Sequence, residues 1–156
     1  MRSLGLSSAA LMSFYCMGTL TSCSSKSDPA PAVTPTPTPA VALTGNAETA
    51  KGKVAFTLDL TTADYKALKT QGEFVKVGDV LVANAKGGKF VAIQRLCTHQ
   101  GFDEVGYRLA TDDFKCTKHG SGFATDGSVL NGPTTKVMKA YKTTLSTDGN
   151  KLQVAE

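Results

Sequence analysis

Cys97-Thr98-His99-Gln100-Gly101 and, after sixteen residues beyond His99, Cys116-Thr117-Lys118-His119-Gly120-Ser121 carry the reading of this chain. The two runs contain both histidines of the 156-residue sequence and two of its four cysteines. A C-x-H segment followed by a C-x-x-H segment supplies two thiolates and two neutral imidazoles. That set suits a [2Fe–2S] centre in which two His replace two Cys on one iron. It is also acceptable to a single tetrahedral zinc ion. In the iron–sulfur case, two ferric ions, two sulfides and two thiolates carry no net charge, whereas four thiolates would leave the core doubly negative. Adding an electron is then easier, and the imidazole-bound iron is its expected seat, with potentials of about −150 to +300 mV. His99 and His119 are thus the expected electron port, and their second ring nitrogens can couple it to a proton.

The stretch around these runs reads as short strands. Val54–Leu60 alternates apolar and polar residues, and Phe74–Val77 and Val80–Ala83 do so in part. Asn84–Lys89 reads as a hairpin turn into Phe90–Ile93, which leads to Cys97. Further turns are expected at Thr111–Asp113, Asp126-Gly127 and Asp148–Asn150, the last before a closing strand at Lys151–Val154. Only Thr62–Lys69 suggests a short helix, capped by Thr61 or Thr62. The spacing predicts an all-β class, a sandwich or small barrel of stacked antiparallel sheets. Asp64, Asp79, Asp112 and Asp113 sit in turn or cap contexts, and no general base, nucleophile or substrate pocket is signalled.

The first fifty residues have a different character. Arg2 and the apolar Leu4–Leu20 segment, which includes Cys16, fit a signal peptide over residues 1–22. Leu20-Thr21-Ser22-Cys23 resembles a bacterial lipobox, which implies cleavage before Cys23 and attachment of lipid to it. An uncleaved membrane helix is the alternative, and either arrangement tethers the domain to a membrane. Arg2 is followed by Ser3, so the adjacent arginines of the folded-export signal are missing and the export route stays open. Residues 23–50 hold five of the six prolines, including Pro35-Thr36-Pro37-Thr38-Pro39, and few large apolar residues. They read as a flexible linker ahead of one folded domain over 51–156. The formal charge is +4 and 41% of residues are apolar; the expected partners are redox proteins and, through the lipid, a membrane, with no nucleic acid. Lys115 and Lys118, beside the runs, are candidates for docking an acidic partner.

Taken with their surroundings, the two runs resemble the Rieske family. The resemblance covers nearly all of residues 51–156 and implies a stacked β-domain with two ligand-bearing loops closing over one [2Fe–2S] cluster. Cys97, His99, Cys116 and His119 match the cluster ligands. Ser121 matches the family serine whose hydroxyl bonds a bridging sulfide and raises the potential. Gly101 and Gly120 stand where close backbone approach to sulfur is wanted. Gly132-Pro133 matches the loop that covers the third side, preceded by an aromatic-then-turn pattern at Phe123–Leu130.

Three departures from the family pattern matter. Quinol-oxidising members tie the two loops with a second Cys pair, and the matching positions here are Phe102 and Lys118. Phe123 stands where many high-potential members have a Tyr donating to a ligand sulfur, and Gln100 stands where quinol-oxidising members often have Leu. The resemblance therefore implies one-electron transfer in a cell-envelope domain, lipid-anchored and facing the periplasm or the exterior. Its potential is expected below that of the quinol-oxidising group. The alternative is the iron–sulfur subunit of a quinol-oxidising, cytochrome bc-like complex.

Overall fold

A computed structural model describes residues 41–156. The expected signal peptide, Cys16, Cys23 and most of the Pro/Thr-rich linker lie outside the described residues. Eleven antiparallel strands are present among the described residues, in two sheets. The larger sheet runs in the order β1 (Leu43–Asn46), β2 (Ala55–Asp59), β11 (Lys151–Ala155), β10 (Ala140–Leu145), β5 (Lys89–Gln94), β4 (Val80–Ala85), β3 (Phe74–Val77). The smaller contains β6 (Val105–Arg108), β7 (Asp113–Cys116), β8 (Gly122–Ala124) and β9 (Val129–Asn131), in that order. The small sheet is one insertion between β5 and β10. The all-β class and the separate ligand-bearing subdomain are as the sequence predicts. Among the described residues no helix is long and apolar enough to cross a membrane.

β4 shows how the layers stack. All six of its residues are buried, because its two faces serve different cores. Val80 and Val82 join Val54, Phe56, Leu58, Leu152 and Val154 inside the large sheet's curl. Leu81, Ala83 and Ala85 point the other way, against Val105, Tyr107, Phe114 and Phe123 of the small sheet. Fully burying a Leu or Phe contributes roughly 1.5–3 kcal/mol, so this second core is what fixes the small sheet on its support. Cys97 and Cys116 belong to the same core.

Strand register brings three loops to one end of the small sheet. Val105 faces Cys116, Lys115 faces Gly122, and Gly122 faces Asn131. The β5–β6 loop, the β7–β8 loop and the start of the β9–β10 loop therefore meet there. The runs found in the sequence occupy the first two loops, and Gly132-Pro133, joined by a cis peptide bond, opens the third.

Three local expectations are corrected. Leu43–Asn46, read as linker, pairs with β2 in register Leu43 to Leu58, so the sheet begins before residue 51. Gly45 permits this close pairing, since a Cβ there would overlap the Ala55 carbonyl across the strands. The expected helix over Thr62–Lys69 shrinks to a 3-10 turn at Lys66–Lys69 with no side-chain cap. Asp59 takes the Thr61 amide (2.9 Å) and hydroxyl (2.6 Å), and Thr62 Oγ1 bonds the Asp59 carbonyl (2.7 Å), so local side chains hold the chain in a turn. With Leu68 as its one buried residue, the 3-10 turn has no apolar face to extend it. Asn84, read as a turn residue, is buried in β4 and donates to the Leu68 carbonyl at 2.9 Å.

Candidate metal centre

The two ligand-bearing loops have the same backbone plan. In the first, the Cys97 amide donates to the Phe102 carbonyl (3.0 Å) and the Gly101 amide to the Cys97 carbonyl (2.8 Å). In the second, the Cys116 amide donates to the Ser121 carbonyl (2.9 Å) and the Gly120 amide to the Cys116 carbonyl (2.9 Å). Each loop turns over at a glycine four residues after its cysteine, with φ of +72° at Gly101 and +82° at Gly120. Apart from the adjoining residues in the chain, no described protein atom lies within 4 Å of a Cβ built on either. What the described structure demands of these two glycines is the left-handed backbone rather than a narrow gap.

The cysteines and histidines differ in burial. Cys97 and Cys116 are free thiols, 2% and 1% exposed, whereas His99 is half-buried and His119 exposed. Burial pushes the Cys97 thiol pKa up. The His99 amide and the Ser121 hydroxyl, hydrogen-bonded to its sulfur, pull it down, while the neighbouring Cys116 thiol pushes it further up. Two adjacent buried sulfurs can both be thiolates only beside a compensating cation. The imidazoles meet edge to face, with ring centroids 5.0 Å apart and the two Nδ1 atoms 3.2 Å apart. Metal–nitrogen bonds of about 2.1 Å at a tetrahedral angle would separate two donors by about 3.4 Å, so both nitrogens can share one metal. Among the described residues no three His, Cys, Asp or Glu side chains converge on a single ion position. A thiol pair and an imidazole pair fit two bridged irons; one zinc would need all four donors together.

The profile of the Rieske [2Fe-2S] domain matches residues 51–142. The chain belongs to the Rieske family. Its domain binds a [2Fe–2S] cluster and transfers electrons. Among curated relatives it is similar to the cytochrome b6-f complex iron-sulfur subunit of Chlorobaculum tepidum, 36% identical over 63 residues, which are 40% of this chain and 34% of that one. The chain thus spans about a third of the length of the curated relatives it matches. Among solved structures it is similar to the cyanobacterial plasma membrane Rieske protein PetC3 from Synechocystis PCC 6803, at 35% identity and a TM-score of 0.43, covering 49% of this chain and 76% of that one. A putative NADH-dependent nitrite reductase small subunit from Mycobacterium tuberculosis shares the fold at 23% identity and a TM-score of 0.52, covering 67% of this chain and 96% of that one.

In this Rieske domain noncovalent contacts tie the loops. Lys118 Nζ lies 5.1 Å from the centroid of the Phe102 ring, which itself packs edge-on against His119 at 5.4 Å. Phe102 and Lys118, read as the missing disulfide pair, therefore form a cation–π contact between the loops. Lys118, a candidate for docking, is engaged in that contact. Thr117 on the second loop donates its amide to the Glu104 carbonyl at 3.0 Å. Asn131 Nδ2 donates to the Gly120 carbonyl at 2.6 Å, and a Cβ on Gly122 would overlap the Asn131 side chain. Phe123 is fully buried in the core that holds the two cysteines. Thr98, Thr134 and Asn131 were not picked out as partners by sequence reasoning; a hydroxyl between two ligand residues was the signal available at Thr98.

The mouth of the first loop is closed by charge. Arg95 Nη2 meets Asp103 at 2.5 Å, and Lys76 Nζ meets the same carboxylate at 2.9 Å. The Arg95 hydrogen bond, helped by Lys76, lowers the Asp103 pKa from 3.8 to about 2. A depressed carboxylate stabilises the fold above its unfolded pKa, and the contribution disappears as pH falls through the folded value. Because both partners are about one-third exposed, Asp103→Asn is expected to cost about 0.5–1 kcal/mol at pH 7. That difference should shrink steadily between pH 3.8 and about 2. Thermal unfolding of both proteins across that range checks it, and a pH-independent difference contradicts it.

Three of the other carboxylates, Asp79, Asp112 and Asp113, are engaged in local structure. Asp79 takes the Thr49 amide and hydroxyl at 2.8 and 2.6 Å. Asp113 pairs with Arg108 through both oxygens, at 2.9 and 2.5 Å. Asp112 accepts from the Tyr107 hydroxyl at 2.5 Å. Burial, with that bond, has the Tyr107 pKa pushed up to about 12.

Proposed function

We propose that this chain is a one-electron carrier in which Cys97 and Cys116 hold the buried iron of the cluster and His99 and His119 the outer one. When bound, the [2Fe–2S] cluster accepts and returns a single electron. The observation that carries the reading is the divided donor set, two fully buried thiols and two more exposed imidazoles whose Nδ1 atoms lie 3.2 Å apart. The exposed His119 gives a partner protein contact with the site through one imidazole, while the small sheet's core keeps water from the sulfurs. The test is the spectrum: the purified protein should be coloured when oxidised, bleach on dithionite, and give the paramagnetic resonance signal of a His-ligated [2Fe–2S] centre. A colourless protein holding zinc refutes it.

The carrier reading includes a lipid anchor at Cys23 and an envelope location outside the cytoplasm. Both rest on the lipobox-like Leu20-Thr21-Ser22-Cys23. Cys23→Ala should move the protein from the membrane fraction to the soluble one; unchanged partitioning would remove the anchor.

The second reading, an iron–sulfur subunit of a quinol-oxidising complex, is favoured by the resemblance to the Chlorobaculum subunit. Copurification with a cytochrome b would establish it. Against it stand the cation–π contact where quinol-oxidising members carry a disulfide, and the exposed polar Gln100 at the tip. With Phe123 lacking a hydroxyl as well, protein-film voltammetry should find a potential below the upper end of the range of about −150 to +300 mV.

A further inference from the structure

The third loop joins the two ligand-bearing loops through one residue, Thr134, which is 4% exposed. Its hydroxyl lies 3.0 Å from the hydroxyl of Thr98, the residue between Cys97 and His99. Thr98 Oγ1 is 2.7 Å from the Lys136 carbonyl, and the Lys136 amide donates to Thr134 Oγ1 at 3.1 Å. A threonine hydroxyl has one proton and two lone pairs. The short bond commits the Thr98 proton to the Lys136 carbonyl, so the proton between the two hydroxyls comes from Thr134. The three bonds then run head to tail in a closed ring, Lys136 amide to Thr134, Thr134 to Thr98, Thr98 back to the Lys136 carbonyl. Such rings are mutually strengthening.

The backbone of Thr134 faces the other way. Its amide donates to the hydroxyl oxygen of Ser121, on the second loop, at 3.3 Å, and Ser121 is fully buried. With an acceptor lone pair taken by that amide, the Ser121 hydroxyl keeps its proton for sulfur. We propose that Thr134 is a positioning residue whose side-chain ring with Thr98 pins its own amide on Ser121 and so fixes the direction of the Ser121 proton toward the cluster sulfurs. The inference rests on the ligand assignment above and adds a residue outside the ligand set.

The experiment is a double-substitution cycle on the loaded protein, read by voltammetry. Thr134→Val keeps the shape of the side chain and opens the ring. At a fixed electrode potential it should lower the reduced-to-oxidised ratio about threefold, equivalent to about 30 mV at 59 mV per tenfold change. Thr134→Ser, which retains the hydroxyl, should restore the wild-type ratio. In a Ser121→Ala background, Thr134→Val should change nothing further, because no serine proton is left to aim. A shift of equal size in both backgrounds would mean general loosening and overturns the proposal, as does no shift in either. If Thr134→Val does not hold iron, Thr98→Val opens the same ring from its other side and carries the same comparison. A wild-type protein without iron would fail the ligand assignment; an iron-loaded wild type that fails the cycle would fail only this inference.

Discussion

Cys97→Ala is expected to give a colourless, iron-free protein whose far-ultraviolet circular dichroism is unchanged. Truncating a cysteine to alanine removes one sulfur from the core between the sheets and costs on the order of 1 kcal/mol. The large side chains of that core, Leu81, Ile93, Phe114 and Phe123 among them, remain to hold the sheets together. The cluster, by contrast, needs every ligand, because three donors leave one iron short of its tetrahedron. His119→Ala should lose the iron in the same way with still less effect on stability, since the imidazole is exposed. Gln100→Ala, on the same tip, should stay coloured. Iron analysis and visible absorption decide between these results. Retention of the full absorption by Cys97→Ala would remove that residue from the site.

The four proposed donors stand out in the sequence because their chemistry is local: a thiol two or three residues from an imidazole, with a glycine four residues after each cysteine, has few other uses. The structure adds why the glycines stand four residues after each cysteine, since both loops turn over there with positive φ. The strand Phe74–Val77 and the turn at Asp148–Asn150 were legible for the same reason, being set by neighbours in sequence. What could not be read depends on residues far apart in the chain. The four short strands of the small sheet are three or four residues each, too brief for a period to show, and they exist because they pack on β4 and β5. Leu43–Asn46 becomes a strand only because β2 is there to pair with it. The expected helix at Thr62–Lys69 failed through the opposite error, weighing spacing above the hydrogen bonds that Asp59 offers to Thr61. The ties between loops were hidden for the same reason. Thr98 and Thr134 are 36 residues apart, and nothing at either position announces the other.

Those ties bear on how firmly the ligands are held. A disulfide between the loops would resist separation covalently and would be lost under reduction. Here Phe102 and Lys118, the Thr98–Thr134 ring and Asn131 on the Gly120 carbonyl share the task. Each is worth about 0.5–2 kcal/mol, and none of them is redox-sensitive. Thiol reductants should therefore leave the loop stability of this protein unchanged, and thermal unfolding with and without dithiothreitol would reveal any exception.

Opposite shifts of potential are expected from substitutions at two buried positions near the sulfurs. Ser121→Ala removes a fully buried hydroxyl whose oxygen is held by the Thr134 amide and whose proton, on the proposal above, is directed at the cluster sulfurs. A hydrogen bond to sulfur stabilises the more negative, reduced form more than the oxidised one. If the difference is about 1–2 kcal/mol, the potential falls by about 40–90 mV, taking 59 mV as 1.36 kcal/mol for one electron. Phe123→Tyr adds a donor from a fully buried ring in the core shared with both cysteines. If its hydroxyl reaches a sulfur, the same arithmetic raises the potential by a similar amount, at a packing cost of about 1–3 kcal/mol for the added oxygen. The packing cost falls on both oxidation states and shows in stability, whereas the hydrogen bond falls mainly on one and shows in the potential. Measuring both quantities for both variants therefore separates them. The sign at Ser121 is the sharper test: an unchanged or raised potential in Ser121→Ala would mean that its proton does not point at the cluster. The pinning of that proton by Thr134 would then have nothing to act on.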